Sequence, residues 1–234
     1  MMQQLPLAVR LRDFAVFESF EPGPNGAVVA LLRAPATAGP ATWIWGPEGS
    51  GKSHLLQAAC AASSSAAYLP VTELLSASPA VLEGWEERTT VCIDDIDRLA
   101  GRRDWELAAF ALFNRLWERG GRVVVAARGS PAATPFELED LRSRLAWGGV
   151  FRLESLGDED RALALRRRAA HRGLELPADV ASYLMRRLPR DMRALCGWLD
   201  TLDIAALAAG KRLTIPFVKS VIGTASSHSP VSPS

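Results

Sequence analysis

Gly46–Ser53 reads GPEGSGKS, a complete G-x-x-x-x-G-K-[ST] pattern, and each fixed position answers a demand of phosphate chemistry. Glycines let backbone amides curl around a phosphate where a side chain would obstruct it. A helix beginning inside the pattern turns its partially positive N-terminus on the same anion. Gly49, Ser50 and Gly51 are the expected cradle; Lys52 supplies a full charge to the β- and γ-phosphates, and the Ser53 hydroxyl a ligand for Mg2+. Downstream, VCIDDID is an apolar run ending in acids. Asp94 is placed to help hold the magnesium. Asp95 stands where a hydrolytic ATPase keeps the carboxylate that orients or deprotonates water. Aspartate is one methylene shorter than the glutamate most such enzymes use, so its reach is reduced. Alone, DDID also reads as a solvated acidic turn; behind a full phosphate loop the catalytic reading prevails. Asp97 reads as a cap for the next helix.

Positioning these groups requires a particular scaffold. ATWIW precedes the loop as a strand and SHLLQAA follows it as a helix. AAYLPV, TVCID, RVVVAA and GVFRLE supply four more strand signals, and WELAAFALFNRLWERG is a helix closed by Gly120. Continuous apolar strands alternating with helices predict a parallel sheet covered on both faces. From about residue 156 the strand signal stops. DEDRALALRRRAAHRG, PADVASYLMRRL and RDMRALCGWLDTLDIAALAAG read as helices, with a short IPFVKSVI after them. The expected organisation is therefore an extended segment at 1–13, an α/β nucleotide-binding domain at 14–155, a small all-helical subdomain at 156–222 and a Ser/Pro-rich, disordered tail at 223–234.

Composition narrows the partners. The chain has 234 residues, with 27 Lys plus Arg against 26 Asp plus Glu. Such a balance argues against holding nucleic acid by bulk electrostatics. Three separated cysteines and three histidines make a zinc site improbable and suit a reducing compartment. There is no signal-peptide pattern and no apolar run long enough for a bilayer. A cytoplasmic protein is expected.

The ordered set GKSHLLQA, IDDID, LRSRLAWG and RDMRAL, with FESFEPGPN near the start and KRLTIPFVKSVI near the end, resembles the AAA+ module of the bacterial replication initiator DnaA. Within that group it resembles the Hda family, small homologues that inactivate the initiator. The resemblance runs from about Gln3 to Ile222. It implies a P-loop AAA+ parallel sheet with flanking helices followed by a helical lid, binding ADP or ATP with Mg2+. It adds His54 to the nucleotide-binding residues. Arg144 matches the family's arginine finger, which reaches into a neighbouring subunit's nucleotide; on its surroundings alone it reads as an ordinary helix-end arginine. Arg142 beside it could pair with an acid. Arg193 matches the lid's sensor arginine, with Arg190 a weaker candidate. Arg166, Arg167, Arg168 and Arg172 read as a solvated helix face. Phe17 and Phe20 match the aromatic stretch bordering adenine, a reading compatible with simple packing.

Two departures bear on activity. The strand RVVVAARGSPA should end in a polar sensor, yet Ala126 and Ala127 are apolar and Arg128 takes its place. With the short Asp95, this implies weak or no intrinsic ATPase activity. At the other end, QLPLAV resembles the family's clamp-binding peptide. Gln4 would hydrogen-bond in a polar pocket, while Leu5, Leu7 and Val9 fill an apolar groove of the sliding clamp, the DNA polymerase III beta subunit. Pro6 reduces the flexibility lost on docking. Ala8 replaces the proline usual in the family.

The implied function is negative regulation of replication initiation. The chain docks on the DNA-loaded clamp and stimulates ATP hydrolysis by DnaA in trans, leaving ADP-bound initiator. It is associated with the nucleoid or replisome, contacts DNA only through partners, and could form a homodimer or higher oligomer. The alternative is an AAA+ helicase-loader or transposition-helper ATPase, which would bind single strands. A small-molecule kinase of the phosphate-loop class fits the separate helical region poorly.

Overall fold

The computed structural model describes residues 15–34, 41–189 and 191–226. The clamp-peptide residues Gln4, Leu5, Leu7 and Val9, and Arg190, lie outside them. The chain divides into two compact units. Among described residues, one holds 15–17 and 24–155, the other 18–23 and 156–226.

The first unit is built on a five-stranded parallel sheet in the order β2-β3-β4-β1-β5. Its strands are β1 (Ala41–Trp45), β2 (Ala66–Pro70), β3 (Thr90–Asp94), β4 (Arg122–Ala127) and β5 (Gly149–Arg152). Every residue of β3 and β4 is buried, as strands packed on both faces require, whereas β5 at the edge alternates half-buried with exposed. Helices α1 (Gly26–Arg33), α2 (Lys52–Ala61), α3 (Val71–Leu74), α4 (Arg103–Glu118) and α5 (Glu139–Leu145) accompany the sheet. All five strands fall where the apolar runs predict them. The core on one face centres on Trp43, Leu112, Phe113 and Leu116. Trp43 is fully buried; its indole N–H donates to the Gly129 carbonyl at 3.0 Å and its ring meets Phe136 edge-on at 6.3 Å. Asn25 ties the start of α1 to the end of β5, exchanging hydrogen bonds with the Glu154 backbone at 2.9 and 3.1 Å.

The helix α4 ends with Gly120 N–H on the Trp117 carbonyl and Gly121 N–H on the Leu116 carbonyl, at 2.8 and 2.9 Å. This pair satisfies carbonyls that the helix itself cannot and stops the chain after Trp117.

The second unit is a helical lid of α6 (Asp158–His171), α7 (Ala178–Arg187), α8 (Met192–Ala209) and α9 (Ile215–Ser226). Leu165, Ala169, Val180, Leu184, Leu195, Leu199, Leu202 and Val218 form its core. Asp191 caps α8, accepting from the Ala194 amide at 2.9 Å. The arginines read as a solvated face are partly engaged inside this unit. Arg167 pairs with Glu21 at 2.7 Å, Arg172 with Asp200, and Arg168 donates to the Cys196 sulfur at 2.9 Å. The helix α9 continues to Ser226, so residues 223–226 are helical rather than part of a disordered tail. Gly223 alone costs a helix only about 1 kcal/mol, too little to stop one already packed through Val218. Among the described residues no helix is long and apolar enough to cross a membrane.

Candidate functional site

Parallel strands deliver their C-terminal ends to one edge of the sheet, where α/β proteins bind ligands. Here that edge gathers the loop after β1, the acids ending β3 and Arg128 just past β4. The strand β4 separates β1 from β3, so Asp94 lies two strands from the loop.

The loop leaves β1 at Gly46. Its φ is +155°, and a Cβ there would stand 2.5 Å from the Leu153 carbonyl oxygen. The Leu153 amide in turn donates to the Trp45 carbonyl at 2.7 Å, clamping β5 against the loop's first residue. Gly51 precedes α2 in the left-handed region at φ +99°, a conformation that side chains resist. Only glycine meets both demands without strain.

Lys52 is buried and its ammonium donates to the Gly46 and Pro47 carbonyls, both at 2.8 Å. Burial lowers its pKa, opposed by the negative field of Asp94, Asp95, Asp97 and Glu48. Ser50 is buried, and its hydroxyl has no hydrogen-bond partner among the described residues. An orphan hydroxyl in a glycine-bounded loop beside a lysine is a donor set that phosphate oxygens satisfy. The loop therefore fits the phosphates of a nucleotide.

Asp94 is buried at the end of β3. The Tyr68 hydroxyl donates to its Oδ2 at 2.6 Å and the Asp95 amide to its Oδ1 at 3.1 Å, with Ser53 a further hydrogen-bond partner. Burial raises the Asp94 carboxyl above its ordinary value, and the bonds from Ser53 and Tyr68 oppose the rise. Burial, then the charge of Asp94, pushes the Tyr68 hydroxyl upward, so it remains a donor at neutral pH. The contact between exposed Ser53 and Asp94 brings together the two residues expected to share a magnesium ion.

Asp95 has φ +56° and is the one non-glycine residue with positive φ among those described. Its carboxylate accepts from Thr72 Oγ1 at 3.0 Å, and Arg98 Nε lies 3.9 Å away. Arg128 donates from Nε to Asp97 Oδ2 at 3.0 Å. Asp97 is thus an ion-pair partner sitting inside the short 3-10 turn Ile96–Leu99, and not the cap read from the sequence. Ala126 and Ala127 are fully buried.

His54 is buried on α2 and its Nε2 meets the Val16 carbonyl at 2.9 Å, tethering the segment that carries Phe17. Phe17 is buried beneath the Arg33 guanidinium, 5.0 Å from the ring centre. Phe20 is also buried, and belongs with the lid unit. Arg193, in the same unit, is exposed in the first turn of α8.

Arg144 sits in the last turn of α5. Its guanidinium carbon lies 4.6 Å from the Trp147 ring centre and 5.2 Å from that of Trp117. The two indoles meet edge-to-face at 4.6 Å. Arg142 beside it pairs with Glu139. Among the described residues Arg144 makes no ion pair with a carboxylate.

The residues that build these arrangements were only partly visible in the sequence. Glu106 is a carboxylate with no exposed surface. It accepts from the backbone amides of Gly101, Glu137 and Leu138 at 2.9, 3.2 and 2.7 Å. It pins the chain just before α5 and so sets where Arg144 begins. Its signal was a charge next to Trp105 on the buried face of a helix. Tyr68 was signalled by a hydroxyl inside a buried strand, which needs a polar partner. Thr72 and Trp117 gave no local sign of their contacts.

Residues 158–222 match the family model of the Hda lid domain. The chain is also similar to solved structures. Domain III of the Thermotoga maritima replication initiation protein DnaA matches at 22% identity with a TM-score of 0.76, covering 92% of this chain and 98% of that one. AMPPCP-bound DnaA from Aquifex aeolicus matches at 21% identity and a TM-score of 0.67, over 82% of this chain and 66% of that one. The Thermotoga maritima RuvB Holliday junction branch migration motor gives 15% identity and 0.61, over 85% and 67%. The chain thus spans nearly all of the isolated DnaA domain and about two thirds of the longer DnaA chain. Residues 158–222 thus match an Hda-type lid, and they follow a five-stranded parallel sheet with the fold of DnaA domain III.

Proposed function

We propose that this protein is a negative regulator of chromosomal replication initiation that stimulates ATP hydrolysis by DnaA in trans while docked on the DNA-loaded sliding clamp. The observation that carries the reading is Arg144, a guanidinium held over two indole rings with no carboxylate ion pair among the described residues. An arginine presented this way offers its charge to an acceptor on another molecule. In the proposed complex that acceptor is the γ-phosphate of ATP held by DnaA, where such a group is worth about 10³–10⁵ in rate.

The chain's own loop binds ADP or ATP. Lys52, the loop amides of Gly49, Ser50 and Gly51, and the Ser50 hydroxyl hold the phosphates. Ser53 and Asp94 hold Mg2+, which neutralises phosphate charge when bound. His54, Phe17 and Phe20 support the base end, and Arg193 reports nucleotide state from the lid. Intrinsic hydrolysis is weak. The Asp95 carboxylate is engaged by Thr72, and Arg128, at the sensor position, is committed to Asp97. The bound nucleotide therefore sets conformation and oligomeric state. Gln4, Leu5, Leu7 and Val9 tether the protein to the clamp, which raises its concentration near the initiator.

Reconstitution with clamp-loaded DNA and DnaA carrying labelled ATP tests the reading. The wild-type protein accelerates conversion to ADP. Arg144→Ala binds the clamp without accelerating. A Leu5→Ala, Leu7→Ala double variant fails at the clamp. If all three accelerate alike, the assignment is wrong.

A further inference from the structure

We infer that Trp117 and Trp147 are positioning residues for Arg144, forming an indole clamp that restrains its guanidinium while leaving it without a carboxylate, so that its N–H donors serve a partner. The inference rests on the reading of Arg144 as a trans-acting finger and adds how this chain presents it.

The geometry comes from two elements. Trp147 follows Arg144 by three residues, and its amide donates to the Arg144 carbonyl at 3.1 Å, so the helical turn continues and stacks the two side chains. Trp117 arrives from the end of α4, which the bonds from Gly120 and Gly121 stop immediately beyond it. Edge-to-face contact at 4.6 Å locks the rings to each other. Both remain 41% and 53% exposed, so this is not core packing. Buried Glu106 fixes the approach to α5, holding the two elements in register.

The chemistry favours presentation over sequestration. Cation–π contact sets the charged group over an indole ring without placing an acid on its donors, and phosphate recognition uses those donors. The two interactions are compatible, unlike a salt bridge, which would occupy the donors. An arginine side chain loses considerable rotamer freedom when it is fixed. The clamp removes part of that freedom before the partner arrives, which lowers the barrier at the partner's site rather than the affinity between the two proteins.

The test measures hydrolysis of labelled ATP on DnaA against increasing concentration of this protein, at fixed clamp-loaded DNA. Trp147→Leu and Trp117→Leu each lower the maximal stimulated rate about fivefold, and the double variant more than tenfold, with little change in the half-saturating concentration. Trp147→Phe and Trp117→Phe, which keep an aromatic face, recover most of the rate. Thermal unfolding identifies any variant that fails to fold, and the phenylalanine pair then carries the comparison at either position. A raised half-saturating concentration with an unchanged maximal rate overturns the inference, because it makes the tryptophans a docking patch. Equal loss in the leucine and phenylalanine variants also overturns it. Arg144→Ala in the same assay separates the two levels. If it leaves the maximal rate intact, the finger reading itself fails; if it abolishes stimulation while the tryptophan variants do not lower the rate, only the clamp fails.

Discussion

The phosphate loop and the Arg144 cluster belong to the same α/β unit, yet they are constructed in opposite ways. Around the loop, charged groups find partners within the chain. Lys52 has two carbonyls, Asp94 has Tyr68 and an amide, Asp95 has Thr72, and Arg128 has Asp97. Around Arg144, among the described residues, stand two half-exposed indole rings and no carboxylate partner. A site whose charged groups are paired within the chain, with the Ser50 hydroxyl left open, fits a ligand of its own. On the proposed reading, the site at Arg144 is completed by a partner.

The largest expected effect should fall on the open site. Arg144→Ala lowers DnaA-directed stimulation by about 10³-fold or more while nucleotide affinity of this chain, measured by fluorescent-nucleotide titration, is retained. Loss of that affinity would dissolve the distinction between the sites. Next in size, Trp43→Ala opens a cavity beneath both and costs about 3–5 kcal/mol in chemical denaturation. A small cost would mean the sheet does not hold them. Lys52→Ala weakens nucleotide binding to this chain about 100-fold, through lost charge-assisted bonds. Glu106→Gln sharpens the contrast from the other side. An amide oxygen and an NH2 group replace a carboxylate that accepts three backbone bonds, destabilising by about 1–3 kcal/mol and lowering stimulation more than nucleotide affinity.

The smallest effect carries a sign. The pKa of Asp94 in the fold lies above its ordinary value of 3.8 because burial penalises the charged form. Stability from this group therefore falls as pH rises through 3.8 and the raised folded value. Asp94→Asn should raise the melting temperature at neutral pH, the gain should vanish below pH 3.8, and magnesium-dependent nucleotide binding should be lost. A gain that grows on acidification would reverse the assignment of burial as the cause.

Local chemistry made much of this legible in sequence. The loop pattern requires particular glycines, and continuous apolar runs such as RVVVAA have no stable place except a sheet covered on both faces. Contacts between distant elements left weaker traces. Nothing in SRLAWG indicates that Trp117, on another helix, completes the stack on Arg144. Asp97 looks like a cap because an acid after a strand often is one; only the arrival of Arg128 from the neighbouring strand makes it an ion-pair partner. The lid arginines likewise read as solvated until α8 brings Asp200 and Cys196 beside them.

The most direct test of the central claim is a structure of the clamp-tethered complex with DnaA, trapped with ADP and aluminium fluoride. The account predicts the Arg144 guanidinium within hydrogen-bond distance of the fluoride in the DnaA site, while it remains in contact with the Trp147 and Trp117 rings. An Arg144 that remains remote from DnaA's nucleotide, with a DnaA arginine entering the loop of this chain instead, would contradict it.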